Sequence, residues 1–561
     1  MKRSSLVAIV LLPAALAAQT KSNPLKYPAK PTVAAITPAD LMSRLYGFAD
    51  DSMMGRAAGT VYHDKGVDYI GREVARLGLK PGGDNGTFFQ RIPLVQQLIA
   101  DGQVITVDGK PFKMGADFLP RNSADLGGKV REMHDSPAVF GGNWASPRSN
   151  AELQATLAVL IPPPQAAGKV VVIAVPKGWQ ANRGLLTQYY AAATSIVVAS
   201  LDSMPAETKV QLRQPSQFMK RTENELPSFF YASRAMAEAM LGSSLEAATP
   251  GAAGKAVTGA FAVVETPAPG SRNVIAILPG SDKKLAGQYV AIGAHSDHVG
   301  FGAPVDHDSL WAFYHVVRPN GADDGNKPAT AEDWPKIMAK LDSLRKVNTA
   351  RKDSIFNGAD DDGTGSTGLL EIAEAFATSK DKPKRSMLFI WHVGEELGLY
   401  GSEFFTDNPT VPRDSITTEL NIDMIGRGSA QDVLNGGPGY LQMIGSRRLS
   451  TELGDLMDAE AKKLSPPFTF DYQFDANGHP QQFYCRSDHA SYARFGIPIV
   501  FFTTGGHAAY HQITDEPQYI DYDKLARVSQ LVFNAAKTIA NLDHRLVVDK
   551  PKPDPKGQCR Q

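Results

Sequence analysis

Cysteine is almost absent from this chain, which has only Cys485 and Cys559 among its 561 residues. Two cysteines are too few for a disulfide scaffold and too few for a zinc site built from thiolates. They could still form one disulfide in an oxidising compartment. Any metal site in this protein must therefore be built from histidine, aspartate and glutamate.

An excess of charge of either sign is also absent. The chain has 58 basic and 59 acidic residues, which gives a formal net charge of -1 at pH 7. No overall field draws such a protein to nucleic acid or to an anionic membrane surface. We expect no nucleic-acid partner, and the function must be argued from individual sites.

Long apolar runs are missing except at the N-terminus. Lys2 and Arg3 precede an apolar run over residues 6–17, which ends in the small-residue pattern Ala-Leu-Ala. The run is shorter than the roughly 20 apolar residues that a membrane-spanning helix needs. It predicts a signal peptide over residues 1–17, and so a secreted or periplasmic protein without a membrane anchor.

A chain of 561 residues is too long for one ordinary core, so two or three domains are expected. From residue 269 onward, strands with continuous apolar runs alternate with amphipathic helices. This pattern predicts an α/β fold with a mostly parallel mixed sheet sandwiched by helices. Before it, short strand-like runs between Pro and Gly turns predict a small β-rich domain centred on GKVVVIAVP and SIVVAS. The expected parts are a helical N-terminal part (37–95), the β-rich domain (96–268), the α/β domain (269–545) with an insertion (298–356), and a C-terminal tail (546–561).

The insertion carries the aromatic residues Trp311, Phe313 and Tyr314 and a helical stretch, WPKIMAKLDSLRKV. Two interpretations are open for these aromatics. They line the functional site, or they form a small satellite core of the insertion.

Polar side chains follow the apolar strands of the α/β domain at their carboxyl ends. Ligands of parallel sheets usually bind at this edge. The residues at these positions are His295, Asp297, Glu395, Glu396, Asp423, Tyr510 and His511. They predict a site at the carboxyl edge of the sheet.

The stretch NGADDDGTGSTG at 357–368 contains the nucleotide-binding pattern G-x-G-x-x-G, and a shorter NGADD stands at 320–324. A dinucleotide loop needs a buried strand immediately before its glycines, but here a polar and charged segment precedes them. Three aspartates would also repel phosphate. We therefore interpret the glycines as a tight turn at the start of the helix GLLEIAEAFA. We interpret the copy at 320–324 as a repeat of the same letters that lies outside the site.

A set of histidines and carboxylates remains: His295, Asp361, Glu396, Asp423 and His511. Two divalent cations bring four positive charges, which three carboxylates and a bridging hydroxide would neutralise. Imidazole nitrogen and carboxylate oxygen suit zinc, with cobalt or manganese as substitutes. The set predicts a centre with two Zn²⁺ ions.

Five motifs, HSDHVG, NGADDDGTGSTGLLEIAEAF, FIWHVGEELGLYGSEFF, LNIDMIG and YHQITDEP, resemble those of the M28 family of co-catalytic zinc peptidases, in the same order. The resemblance covers 269–545, and the segment before residue 96 is similar to the leader of the same catalytic domain. The β-rich span resembles the protease-associated domain that is often inserted in this family. The resemblance implies a zinc exopeptidase fold and an aminopeptidase acting on peptides.

The resemblance also implies a role for each matching residue. Asp361 would bridge the two metal ions, with His295 and Asp423 completing one site and Glu396 and His511 completing the other.

The neighbours of these ligands also match the family. Glu395 would be the general base, and Asp297 would orient the histidine two residues before it. Asp515 would support His511. Tyr510 would donate a hydrogen bond to the tetrahedral oxyanion, although a purely structural tyrosine fits the same position.

The other histidines in and near the motifs receive no catalytic role. We expect His392 to be a packed histidine, and we expect the remaining histidines to lie at the surface or behind the ligands: His298, His307, His315, His489 and His507. Two alternative functions stay open, namely a carboxypeptidase or dipeptidase of the same family and a non-catalytic, receptor-like binding protein.

Overall fold

The structure is a computed structural model that describes residues 23–121, 128–145, 150–176, 181–219, 224–268, 271–325, 327–433, 435–557 and 559–561. The predicted signal peptide lies outside the described residues. The predicted domain boundary at 268–269 lies at the edge of a gap in the description.

Helices and strands alternate along most of the chain. The α-helices are α1 (Pro38–Phe48), α2 (Val61–Arg76), α3 (Asn150–Val159), α4 (Pro163–Ala166), α5 (Arg183–Tyr189), α6 (Ala206–Gln211), α7 (Arg234–Leu241), α8 (His307–Val317), α9 (Asp333–Arg345), α10 (Gly365–Thr378), α11 (Tyr400–Asp407), α12 (Thr451–Lys463), α13 (His489–Ala493) and α14 (Tyr522–Asn541). The strands are β1 (Lys80–Pro81), β2 (Phe89–Arg91), β3 (Leu94–Ile99), β4 (Val104–Val107), β5 (Lys110–Lys113), β6 (Phe118–Arg121), β7 (Gly128–Val130), β8 (Met133–Asn143), β9 (Val170–Ala174), β10 (Ser195–Ala199), β11 (Ser216–Met219), β12 (Asn224–Leu226), β13 (Ser228–Ala232), β14 (Ala253–Gly259), β15 (Val263–Pro267), β16 (Arg272–Leu278), β17 (Tyr289–His295), β18 (Phe301–Asp306), β19 (Lys352–Ile355), β20 (Ser386–His392), β21 (Ile416–Ile422), β22 (Tyr440–Ile444), β23 (Thr469–Asp471) and β24 (Ile499–Thr503).

The larger sheet runs in the order β1-β16-β20-β17-β21-β24-β22-β23, with β2 also paired to β16. Its central strands β20, β17, β21 and β24 are parallel, whereas the flanking pairs β16–β20 and β22–β24 are antiparallel. Every residue of β20, β21 and β24 is buried, because helices cover both faces. One core contains α1, α10 and α14, and another contains residues of α11 and α13. The predicted α/β fold, a mixed sheet sandwiched by helices, is confirmed.

A second sheet of eight strands has the order β5-β4-β14-β8-β9-β10-β13-β6. Strands β9 and β10, which contain the runs GKVVVIAVP and SIVVAS, are parallel neighbours in it. The chain leaves the larger sheet after β2 and returns at β16, and Arg91 pairs with Arg272 at that point. The two ends of the intervening segment are therefore adjacent in space.

The insertion after β17 packs around its own small core. Ala312 and Val317 of α8 lie against Ile337 of α9, with Phe313 at the edge of the cluster, and Trp311 stacks on the ring of a histidine one turn later. Phe313 packs against this satellite core and Tyr314 meets its ring edge-on, so the second of the two interpretations holds for these two residues.

A disulfide joins Cys485 to Cys559 across 74 residues and ties the C-terminal tail to the turn at 483–485. Among the described residues no helix is long and apolar enough to cross a bilayer.

Candidate metal centre

The carboxyl ends of the central parallel strands carry the predicted site residues. His295 is the last residue of β17, Glu396 follows β20, and Asp423 follows β21. His511 lies beyond β24 with a left-handed φ of 55°. Parallel strands end at one edge of a sheet, so four segments far apart in sequence meet there.

Asp361 lies between the two predicted histidines. Its Oδ1 is 3.1 Å from Nε2 of His295, and its Oδ2 is 3.0 Å from Nε2 of His511. Asp423 Oδ1 lies 3.7 Å from the same nitrogen of His295, and Glu396 Oε2 lies 2.9 Å from that of His511. The five predicted ligands therefore form two groups that share one carboxylate.

The aspartates on either side of Asp361 bind the protein itself. Asp362 accepts hydrogen bonds from the main-chain N–H groups of His295, Gly365 and Met424. Asp360 accepts from the hydroxyl of Thr364 and from the N–H of Gly426. Of the three, Asp361 alone presents its carboxylate to both imidazoles.

The atoms that face one another here are buried and lack ordinary hydrogen bonds. Nε2 of His295, Oδ2 of Asp361 and Oε1 of Glu396 have no hydrogen-bond partner among the described residues. Buried polar atoms are almost always paired, so a converging set without partners is suited to holding a cation. Imidazole nitrogens and carboxylate oxygens are donors that zinc accepts, and the residues present fit such a group.

The electrostatics of the centre also favour a cation. Burial would lower the pKa of His511, but Glu396 and Asp361 raise it to about 11. Burial would raise the pKa of Asp361, but the imidazoles of His295 and His511 beside it hold it well below its usual range. The carboxylates around His295 and His511 thus favour a positive charge at this position.

Comparison with known proteins bears on this geometry. Residues 273–536 match the model of peptidase family M28. The chain carries a peptidase family M28 domain. It is 30% identical over 150 residues to leupeptin-inactivating enzyme 1 of Streptomyces exfoliatus, a stretch that covers 26% of this chain and 30% of that protein.

Two further similarities concern aminopeptidases. The chain is 26% identical over 221 residues to a probable leucine aminopeptidase of Trichophyton verrucosum, which covers 38% of this chain and 56% of that protein. A solved zinc aminopeptidase from Bacillus subtilis superimposes with a TM-score of 0.47 and 15% identity, covering 94% of this chain and 100% of that one. The chain thus covers 30% of the length of the Streptomyces exfoliatus protein and 56% of the length of the Trichophyton verrucosum protein.

Glu395 of the M28 domain lies beside the shared centre without joining either group. Its Oε2 is 4.0 Å from Nε2 of His295, and it lines the same cavity as Asp361 and Asp423. Burial raises its pKa well above the usual range of a glutamate, although His295 opposes the shift. A carboxylate with a raised proton affinity suits an acid and base at the reacting centre.

Asp297 contacts His295, the histidine that it was expected to orient, mainly through its main chain. The Nδ1 of His295 lies 3.1 Å from the main-chain carbonyl of Asp297 and 3.8 Å from its carboxylate. The carboxylate instead accepts from the N–H groups of Gly394 and Glu395. Asp297 orients His295 through its backbone, and its side chain holds the main chain of Gly394 and Glu395 in place.

Asp515 also acts on the main chain. Its carboxylate accepts from the N–H groups of Asp360 and Asp361, and among the described residues it forms no ion pair with His511. The expectation that it supports His511 directly is therefore replaced by a role in fixing the segment that carries Asp361.

His298 is closer to the centre than the sequence indicated. It is fully buried, and its Nδ1 lies 2.7 Å from Oε1 of Glu396. Together with Asp361, Glu396 and His511 it forms a group whose atoms are close enough to hold one ion. The second histidine of HSDHVG was the signal available in the sequence, but the predicted ligand set was complete without it.

The other histidines lie away from the two groups. His489 and His507 are buried rather than at the surface, and His507 pairs with Asp360 behind the centre. His392 is buried and packs against Tyr492 as predicted.

Two residues without a predicted role hold the ligands. The Ser487 hydroxyl donates to Asp423 at 2.7 Å, and it accepts from the amide of Asn421. Arg56 is fully buried and donates to four main-chain carbonyls rather than to a carboxylate: Phe48, Ser296, Asn357 and Gly358. Three of those carbonyls flank His295 and the turn before Asp361. No local pattern indicates the role of Arg56, because its partners lie up to 302 positions away.

Tyr510 lines the cavity together with Asp361 and Glu395, and its ring lies 4.1 Å from that of His511. Burial raises the pKa of its phenol well above the usual value. The phenol is therefore protonated at neutral pH and can donate a hydrogen bond.

Proposed function

We propose that this chain is an exported metallo-aminopeptidase that holds two zinc ions and removes N-terminal residues from peptides. The observation that carries the proposal is the position of Asp361 between two groups of buried, unpaired donors. His295 and Asp423 would complete one metal site, and Glu396 and His511 would complete the other. Cobalt or manganese could substitute for zinc in such a donor set.

When bound, the two ions would acidify a water molecule and polarise the scissile carbonyl. Glu395 accepts the proton from the attacking water and delivers it to the leaving amine. Its position supports this role, because Glu395 faces the cavity beside both ligand groups yet belongs to neither. Asp297 supports it further by fixing the main chain of Glu395.

Tyr510 donates a hydrogen bond to the oxygen that gains negative charge as the carbonyl is attacked. Its protonated phenol and its place in the cavity support this assignment. Aminopeptidase rather than carboxypeptidase polarity is supported by the leucine aminopeptidases among the relatives.

The disulfide between Cys485 and Cys559 supports export, because such bonds persist in oxidising compartments. We also propose that residues 96–268 are a protease-associated-like domain inserted into the M28 fold. This assignment is supported by the separate eight-stranded sheet and by the pairing of Arg91 with Arg272, which brings the ends of the segment together.

The test is peptidase activity together with metal content. The purified protein should contain zinc and hydrolyse aminoacyl nitroanilides, and Glu395→Gln should lower kcat by about 100-fold or more with the zinc content unchanged. The matched control is Glu332→Gln, at an exposed glutamate of the insertion, which should match the parent.

Free and N-acetylated peptides decide the polarity of cleavage. An aminopeptidase cleaves the free peptide and not the acetylated one. Cleavage of acetylated peptides would point to the carboxypeptidase alternative. A parent protein that binds zinc but cleaves neither would point to the non-catalytic alternative.

A further inference from the structure

The first NGADD copy, which the sequence placed outside the site, forms a turn that lines the cavity. Residues 321–324 form a single 3-10 turn in the insertion, and Asp323 lies in the cavity wall with Asp361 and Glu395. Asp324 closes the turn by accepting from the main-chain and side-chain nitrogens of Asn320. Asp323 does not take part in closing the turn, and it lines the cavity instead.

This turn contacts the segment that carries Tyr510 through the main chain. The N–H of Ala322 donates to the carbonyl of Tyr510 at 3.1 Å. Gly321 has a φ of 61°, and a Cβ at this position would lie 2.5 Å from the same carbonyl oxygen. Only glycine permits this approach, so the turn and the Tyr510 segment are built against each other.

The same turn reaches Tyr510 a second time through side chains. Nη1 and Nη2 of Arg486 each donate to one carboxylate oxygen of Asp323 at 3.0 Å. Nη2 also donates to the phenolic oxygen of Tyr510 at 3.3 Å. A two-pronged arginine–carboxylate pair fixes the plane of the guanidinium, and so the direction from which it meets the phenol.

The direction of these hydrogen bonds determines which group can accept the proton of the Tyr510 hydroxyl. A guanidinium has donors only, so Tyr510 must accept from Arg486. Its own O–H proton is left for another acceptor, and the surrounding cavity is where a substrate oxygen would lie. A phenol that accepts a hydrogen bond from a cation is also a stronger donor, because linked hydrogen bonds polarise one another.

We infer that Asp323 is a positioning residue for Tyr510: it holds Arg486 so that the phenolic proton is directed at the oxygen of the attacked carbonyl. This inference rests on the proposed function, since it assigns to the insertion a part in the same reaction. It also separates the roles of the two NGADD copies, one supplying Asp361 and the other setting the orientation of Tyr510.

The test compares Asp323→Asn, Tyr510→Phe and the double variant with the parent. Asp323→Asn should lower kcat about tenfold, the equivalent of one charge-assisted hydrogen bond, with KM within about twofold. Tyr510→Phe should lower kcat about 100-fold. The double variant should be no slower than Tyr510→Phe alone, because Asp323 acts only through the phenol.

A binding measurement complements the kinetics. A phosphinic dipeptide analogue, which mimics the tetrahedral oxyanion, should bind Asp323→Asn weaker by the same factor as the loss in kcat/KM, whereas free leucine should bind both proteins equally. Asp342→Asn, at an exposed aspartate of the same insertion, is the matched control and should behave as the parent.

Three results would overturn the inference. The first is an unchanged kcat for Asp323→Asn. The second is a raised KM at constant kcat, which would make Asp323 a substrate-binding carboxylate. The third is an additive loss of kcat in the double variant. If Asp323→Asn loses zinc or folds poorly, Arg486→Gln takes its place under the same criteria. Failure of the parent to cleave any peptide would instead remove the proposed function.

Discussion

Replacement of Arg56 by methionine tests whether one buried cation organises the metal centre. The guanidinium donates to main-chain carbonyls of Phe48, Asn357 and Gly358 at 2.7 to 3.1 Å and to that of Ser296 at 3.3 Å. Each buried carbonyl left without a donor costs about 1 to 3 kcal/mol. The Gly358 carbonyl also accepts from the N–H of Gly363, so three carbonyls lose their donor. Three such losses cost at least about 3 kcal/mol, and relief of the buried charge offsets part of this.

We therefore expect Arg56→Met to lower the free energy of unfolding by about 3 kcal/mol. Urea unfolding with a chelator present measures this loss without any contribution from metal binding. Because the carbonyls of Ser296 and Gly358 lie beside His295 and just before Asp361, zinc affinity should also fall at least about tenfold. Competition with a chromophoric chelator measures that second effect.

Two control variants sharpen this test. Arg56→Lys keeps the charge and can satisfy up to three acceptors, so its loss of stability should be intermediate. Arg72→Met, at an exposed arginine of α2, should change stability by less than about 0.5 kcal/mol. An Arg56→Met protein within about 1 kcal/mol of the parent, with unaltered zinc affinity, would refute the organising role.

Further predictions concern stability away from the centre. Cys485→Ser removes the disulfide and should lower the free energy of unfolding by up to about 4.5 kcal/mol, because the unfolded chain regains the entropy of a loop spanning 74 residues. Addition of dithiothreitol should destabilise the parent and leave the variant unchanged. Arg44→Met should destabilise by about 3 to 5 kcal/mol in urea unfolding, because buried Arg44 pairs with three carboxylates, Glu73, Glu371 and Glu374; a loss below about 1 kcal/mol would contradict this. Burial raises the pKa of Glu371 to about 7, although Arg44 opposes the shift. The stability that protonated Glu371 contributes is therefore complete below about pH 4.5 and is lost as the pH rises through 7. The stability of the parent relative to Glu371→Gln should therefore fall by about 3 kcal/mol between those pH values, and a flat difference would show the assignment to be wrong.

The fold could be predicted from the sequence because its signals are local. Continuous apolar strands alternating with amphipathic helices predicted the sheet, and every residue of β20 and β24 is indeed buried. The convergence of His295, Asp361 and His511 followed from their positions at strand ends and from the ordered motifs. Both signals lie within a few residues of each element.

The parts that were missed depend on long-range contacts or on the main chain. The carboxylates of Asp297 and Asp515 accept from backbone N–H groups, a role that no residue type reveals, and Asp297 meets His295 through its main-chain carbonyl. Arg56 meets its carbonyls across more than 200 positions, and Asp323 meets Arg486 across 163. Such pairs have no spacing that a pattern could detect.

The most direct measurement of the central claim is the anomalous diffraction of crystals grown with zinc, recorded at the zinc absorption edge. We expect two anomalous peaks, one on each side of the Asp361 carboxylate, the first beside His295 and Asp423 and the second beside Glu396 and His511. A single peak, peaks that do not touch Asp361, or none at all would contradict a two-metal centre bridged by this aspartate.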